Sequence, residues 1–379
     1  MLDVAIVGAG PVGATLAARL GRAGRAAALF EARSGPTGDA RTLALSHASR
    51  ERLEEIGGWP ASAATPITSI HISQQGGFGR TVIEAAEQRL EALGYTVPFT
   101  GVEAALHAAV SACGAALHFG AACERIELLA DRARMTLAGG REVEARLLVL
   151  ADGGANAARI PGLAFVEKDY QQQAVVATVT TDRPHGGRAW ERFTPRGPMA
   201  LLPVGDRYAM VWTATPAEAE RLRGLADADF IAQLQERFGD RAGRFTSAGP
   251  RASFPLRLRV VNTPVALRTA IVGNAAQALH PIAGQGLNLG LRDATALADL
   301  VESTAQADVG GAAMLDAYRR TRRRDALRGV AFTDFLVSAF ADSGRISTWG
   351  RGLALAALDA FPPARRLLAE RMIHGSPAP

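Results

Sequence analysis

Residues 3–13, DVAIVGAGPVG, constrain the fold more than any other part of the chain. DVAIV reads as a buried parallel strand, and Gly8, Gly10 and Gly13 follow in the spacing G-x-G-x-x-G at the start of a helix predicted to reach Arg22. Gly8 permits a tight turn, Gly10 lets a pyrophosphate approach the backbone, and Gly13 lets helix and strand pack closely. Pro11 and Val12 open the helix, whose free amides would face the anion. The next strand, RAAALF, leads into Glu31 and Ala32, about twenty residues on, where a carboxylate can accept from both ribose hydroxyls. With strands, helix and acid all in register, the spacing predicts a dinucleotide site. FAD and NAD share the adenosine ribose that the acid favours, so this fingerprint does not separate them.

A second stretch does. In AIVGNAAQALHPIAGQGLNLGLRDA, residues 270–294, there are few large side chains between Val272 and Leu287. RTAIVG reads as another buried strand, ending at Gly273 and Asn274, and Pro281–Gly286 as an extended small-residue loop before a helix over Leu287–Val301. Close packing between helices explains Gly290, but not Pro281, Gly284, Gln285 and Gly286. Two glycine-rich helix starts far apart in sequence suit one long ligand, and FAD is long enough to need both. The amides of Leu287 and Asn288, at the second helix start, are the natural donors to a flavin N1 and C2=O.

Composition narrows the alternatives. The chain has 379 residues, enough for two joined domains, and 48% hydrophobic content. Its formal charge of +5 comes almost wholly from scattered arginines, Lys168 being the lone lysine, which argues against a nucleic-acid partner. Cys113 and Cys123 have no metal-type spacing and suit a reducing compartment. MLDVAIVGAG has no basic leader and no apolar run approaches the ~20 residues of a membrane span, so a cytoplasmic location is expected.

On these motifs the sequence resembles the flavin-dependent aromatic hydroxylases of the p-hydroxybenzoate hydroxylase fold, and among them the ubiquinone-biosynthesis hydroxylases. ARTLALSHAS at 40–49 is similar to their early flavin-contact loop, and LVLADGGANAAR at 148–159 to their D-G motif, used for both flavin and NAD(P)H. IHISQQGGFGR, WERFTPRGPMALLP and GNAAQALHPIAGQGLNLG resemble the branch acting on octaprenyl-methoxyphenols, as do Asn274 and Gln277 where most of the wider family has aspartate and histidine. Two departures stand out: Thr100 where an arginine usually touches the flavin, and Asn156 for the usual serine of the D-G motif.

The resemblance implies an α/β fold: a Rossmann-like FAD-binding part of the glutathione reductase type, an inserted antiparallel-sheet substrate domain and C-terminal helices. The expected FAD-binding pieces are residues 1–70, 97–164 and 265–310, with the substrate domain at 71–96 and 165–264 and a helical region at 311–379. By resemblance, Gly8, Gly10, Gly13, Glu31 and Arg41 would hold the adenosine and pyrophosphate side. Asp152, Gly153 and Arg159 would belong to the D-G motif. Gly273 and Asn274 would meet the ribityl or pyrophosphate region, and Pro281, Gly284, Gln285, Gly286, Leu287 and Asn288 the isoalloxazine. His280 is the titratable group of that loop, either a shuttle for a phenolic proton or a spacer before Pro281.

The implied activity is FAD-dependent hydroxylation of a polyprenylated phenol by O₂ through a flavin C4a-hydroperoxide, with NAD(P)H binding transiently as reductant, since no second G-x-G-x-x-G follows. Rival readings are a hydroxylase of a small aromatic acid, which would need a cation among Arg188, Arg192, Arg196 and Arg207, and a non-catalytic flavin- or lipid-binding subunit. The arginine-rich, apolar tail suits a solvated surface, a seat on anionic lipid, an assembly contact or a homodimer face.

Overall fold

In the computed structural model, which describes residues 1–279, 285–323, 325, 329 and 345–374, the dinucleotide fingerprint forms the middle of an eight-stranded sheet. Strand Leu2–Val7 is flanked in parallel by Ala27–Phe30 and Glu142–Leu150, and outside these lie Ala116–His118 and Thr269–Ile271, again parallel. A hairpin, Cys123–Leu128 with Ala133–Leu137, extends from Glu142–Leu150. Val4 and Ile6 pack into one core and Ala5 and Val7 into another. Both faces of the strand are therefore buried, which is why it reads as a continuous apolar run.

Helices Pro11–Arg22, Phe99–Ala112 and Gln285–Ser303 cover one face. The turn before the first of them is shaped by close backbone approach. Gly8 has φ +104°, and a Cβ there would lie 2.7 Å from the Ala151 carbonyl oxygen. A Cβ on Gly13 would collide with the Gly8 carbonyl oxygen itself.

The second sheet has nine strands, running from Gln277–Ala278 through Ala252–Val261, Phe165–Thr181, Arg207–Ala214, Gly197–Val204, Arg188–Thr194 and Ser69–Gln74 to Arg80–Glu84, with Phe245–Ala248 beside Phe165–Thr181. It is antiparallel except at one place, where Ser69–Gln74 lies parallel to Arg188–Thr194. Sequence alternation does not reveal that pairing, because the two strands are over a hundred residues apart. Trp190, Met199, Leu201, Tyr208, Met210 and Trp212 fill one face against helices Pro216–Gly224 and Asp227–Phe238.

These two helices are separate elements rather than one continuous helix. Leu225 is extended, its carbonyl accepts from Arg251 Nη2 at 2.6 Å, and Asp227 and Asp229 supply the negative first turn of the second helix. A third, three-stranded sheet of Thr42–Ser46, Gly94–Pro98 and Thr65–Ile67 lies between the larger two. Residues 312–323 are helical, as are Arg345–Ala360 and Pro362–His374, and no helix among the described residues is long and apolar enough to cross a membrane.

Because the acceptor at Gly13 is backbone, Gly13→Ala should cost about 1–3 kcal/mol. Thermal unfolding of the variant checks this, with a loss well under 1 kcal/mol contradicting the packing described.

Candidate functional site

The two glycine-rich turns meet in space, at Val12 in the first turn of helix Pro11–Arg22. A Cβ on Gly290 would lie 2.7 Å from Val12 Cγ2 and 3.1 Å from the Gly273 Cα, and one on Gly273, at φ +61°, would lie 3.0 Å from the same Val12 methyl. Gly273 and Gly290 are small because protein atoms fill their space. Gly10 and Gly286 differ: a Cβ on either meets no atom of the described residues within 4 Å. Gly10 and Gly286, both expected to face a ligand, open into free space, whereas Gly273, also expected to meet the ligand, has its side-chain space filled by Val12. The cradle therefore fits a pyrophosphate at Gly10 and an extended group continuing past Gly286.

Glu31, 7% exposed, stands at the end of its strand. Its Oε2 accepts from the Ala9 amide at 3.0 Å and its Oε1 from the Arg33 amide at 3.0 Å, while the Arg33 guanidinium binds both oxygens. Burial alone would raise the carboxyl, but Arg33 and the two amides outweigh it and hold the pKa at about 2. Arg33 also bonds Glu103 Oε1 at 3.3 Å, and Glu103 Oε2 accepts from the Thr37 amide. Arg33 was not singled out from sequence, although its place two residues after the acid was visible. Ala32 between them is exposed.

Arg41 is exposed, paired with Asp39, and its guanidinium lies 5.7 Å from the Phe99 ring and 5.5 Å from the Phe254 ring. The Phe99 amide donates to the Arg41 carbonyl at 2.9 Å. Thr100, exposed in the first turn of helix Phe99–Ala112, leaves that turn without its own arginine, yet Arg41 brings a cation to the same helix start.

Asp152 is brought against the Gly8 turn through its Cα, 2.8 Å from where a Gly8 Cβ would sit. Its carboxylate accepts from the Gly154 and Asn156 amides and from Asn156 Nδ2 at 2.7 Å, so it shapes its own turn around Gly153, at φ +71°. Asn156 thereby keeps a donor on Asp152 where the family's serine is absent. Arg159 donates to the Cys123 carbonyl at 2.6 Å.

At the second cradle Asn274 is exposed and the Gly273 amide donates to Asp293 Oδ2 at 2.9 Å. Gln277 Nε2 donates to the same oxygen at 2.5 Å. Asp293 Oδ1 accepts from Arg322 Nε at 2.6 Å, and Arg292 and Arg322 both bind Asp325. Gly286 and Leu287 are half-buried at the start of helix Gln285–Ser303. The Asn288 side chain accepts from the Ser46 amide at 2.9 Å and Ser49 Oγ at 2.7 Å and donates to Ala44 O, tying this helix start to the ARTLALSHAS loop. His280, Pro281 and Gly284 lie outside the described residues, as does the side chain of Gln285.

A family model described as the FAD binding domain matches residues 1–333. Ubiquinone hydroxylase UbiL of Rhodospirillum rubrum is 35% identical over 377 residues, covering 96% of this chain and 88% of the relative. The chain belongs to this family of FAD-binding ubiquinone hydroxylases. The 3-demethoxyubiquinol 3-hydroxylase of Escherichia coli is 31% identical, with 94% of each chain covered. Among solved structures, p-nitrophenol 4-monooxygenase PnpA of Pseudomonas putida superposes with a TM-score of 0.80 at 19% identity, covering 98% of both chains. Pseudomonas aeruginosa PqsL gives 0.77 at 21%, covering 95% of this chain and all of that one. The likenesses to solved structures carry the fold, and the family match carries the cofactor.

Glu31 holds its proton more weakly folded than unfolded, so its contribution is complete above pH 4.5 and disappears as pH falls toward about 2. That contribution is on the order of 3 kcal/mol. Glu31→Gln should lower the melting temperature of FAD-free protein at pH 7, and the gap to wild type should close by pH 2. A gap that persists unchanged in acid would contradict the assignment.

Proposed function

We propose that this chain is an FAD-dependent monooxygenase that hydroxylates the ring of a prenylated phenol in ubiquinone synthesis, with NAD(P)H as reductant and O₂ as oxidant. Bound FAD supplies the redox chemistry and the activation of oxygen. The chain's part is to hold the ring, exclude water and stabilise charge. Gly8, Gly10, Gly13 and Glu31 would hold the adenosine and pyrophosphate side, and Gly286, with the amides of Leu287 and Asn288, the flavin end.

The observation that carries the substrate class is the face of the nine-stranded sheet opposite Trp190 and its neighbours. Register and alternation place Ile72, Phe193, Ala200, Leu202, Val211, Val176 and Phe254 on it. Phe254 meets Arg41 of the cofactor-binding part, so this face looks toward the FAD cradle. The four arginines that could anchor a small acid are turned to the other side, paired, or, for Arg207 on the Val211 side, exposed at the strand end. Arg188 and Arg192 share the Trp190 side, Arg188 over the Trp190 ring at 5.7 Å and Arg192 beside Gly239. Arg196 pairs with Glu218, and Arg207 is exposed beside Asp206. The guanidiniums that reach this face among the described residues, Arg41 and Arg351, bind Asp39 and Gln74, an arrangement that favours an uncharged ring over a carboxylate.

An aliphatic cavity of about 60 Å³ adds to this reading. Ile67, Ile70, Ile83, Leu93, Ala369 and Ile373 line it, and Asn288 and Ser46 reach it from the flavin end. It lies between the substrate sheet and the C-terminal helix Pro362–His374, a site suited to the beginning of a prenyl tail. The arginine-rich helical region after residue 311 would then contact a lipid surface or a biosynthetic assembly that delivers such a substrate.

NADH oxidation by FAD-loaded protein should rise several-fold with a prenylated 2-methoxyphenol and not with p-hydroxybenzoate, with ¹⁸O from O₂ entering the product. Stimulation by the benzoate alone would favour the small-acid reading.

A further inference from the structure

One ionisable side chain sits within the open apolar face, outside every motif that holds the cofactor. Glu191 lies in strand Arg188–Thr194, paired with Ala200 on one side and Ile72 on the other. Its neighbours Trp190 and Arg192 point to the opposite side: Trp190 lies tilted against His71, ring centroids 4.7 Å apart, and packs in the core beneath the sheet. The row through Glu191 runs Val211, Ala200, Glu191, Ile72, Thr81, with no other charge in it. Among the described residues no hydrogen bond or ion pair reaches its carboxyl.

Several charged groups of the elements packed on this face are committed to other partners. Arg351, from helix Arg345–Ala360, bonds Gln74 Oε1 at 3.4 Å. Arg365, from helix Pro362–His374, bonds Glu87, and Asp359 accepts from the Val82 amide. From the cofactor side, Arg41 pairs with Asp39 over Phe254. Glu191 is half-buried, and its apolar neighbours desolvate the carboxyl and push its pKa up to about 8. Carboxyls so placed are costly in a merely structural role, because neither partner nor solvent compensates them.

We propose that Glu191 is the base that takes the phenolic proton of the bound substrate. The inference rests on the phenol reading above. In this step the phenol O–H bond breaks, the proton moves to a carboxylate oxygen of Glu191, and the O–H electron pair stays on the phenolic oxygen and is shared with the ring. The ring becomes a better nucleophile at its ortho and para carbons, and the proton on Glu191 passes to solvent after turnover.

Three readouts on wild type, Glu191→Gln and Glu191→Asp test this with FAD-loaded protein, NADH and a prenylated 2-methoxyphenol. Hydroxylation by wild type should rise with pH and level off above about pH 8; Glu191→Gln should lose that limb and fall about 100-fold or more, while Glu191→Asp keeps a limb. The rate at which NADH bleaches the flavin should change less than threefold in all three. Without FAD, a phenolate absorbance band should develop with pH on adding the phenol to wild type and be absent with Glu191→Gln.

A fourth measurement is independent of substrate. A carboxyl with a raised folded pKa destabilises the protein progressively as pH climbs from 4.5 toward 8. Glu191→Gln should therefore melt higher than wild type at pH 9 and no higher at pH 4. Phenol hydroxylation that keeps its pH limb and stays within threefold in Glu191→Gln would overturn the assignment of Glu191 alone. Failure of every prenylphenol to stimulate wild type would overturn both this proposal and the reading beneath it.

Discussion

Everything at the cofactor cradle depends on Val12 being able to lie against two residues that have no side chain. Gly273 ends a strand of the parallel sheet and Gly290 sits one turn into the helix Gln285–Ser303, and any Cβ on either would strike the Val12 methyls. This contact brings together the starts of two helices whose amides can serve one ligand from opposite ends. A dipole at one helix start attracts a phosphate, and two converging starts can hold a long molecule with charge at both ends.

The buried acid Asp293 fixes this meeting point. It accepts from the Gly273 amide and Gln277 with one oxygen and from Arg322 with the other, at 1% exposure. Burial pushes its pKa up, and Arg322 and these hydrogen bonds counter that. Arg322 continues to Asp325, which also holds Arg292, so the charges are shared over a network rather than left as an isolated pair. Such a network adds little net stability but costs a great deal to break, because a lone guanidinium would stay buried. It fixes the second glycine turn to the helical region that follows the cradle.

The cradle was legible in the sequence because its requirements are local: an apolar strand, glycines at fixed offsets, a helix start and an acid at the next strand end. The second turn was legible for the same reason, through an excess of small residues that no core would use. What sequence did not disclose is set by long-range register. The parallel docking of Ser69–Gln74 on Arg188–Thr194 decides that Ile72 and Glu191 share a face while Arg188 and Arg192 turn away. Asn288 reads as a flavin neighbour, yet its side chain is occupied by Ala44, Ser46 and Ser49, and only the fold could show that. Asp293 takes its backbone partner from nearby Gly273, but its guanidinium comes from Arg322, one helix further on.

The central claim is that the two turns grip one cofactor. Calorimetric titration of cofactor-free protein with FAD, with ADP and with riboflavin 5′-phosphate measures this directly. If both turns serve the same molecule, each half binds weakly and FAD binds at least about a hundredfold tighter than either, because the second contact becomes intramolecular. FAD binding no tighter than ADP would mean that the turn at Gly286 does not touch the flavin, and the account would fail.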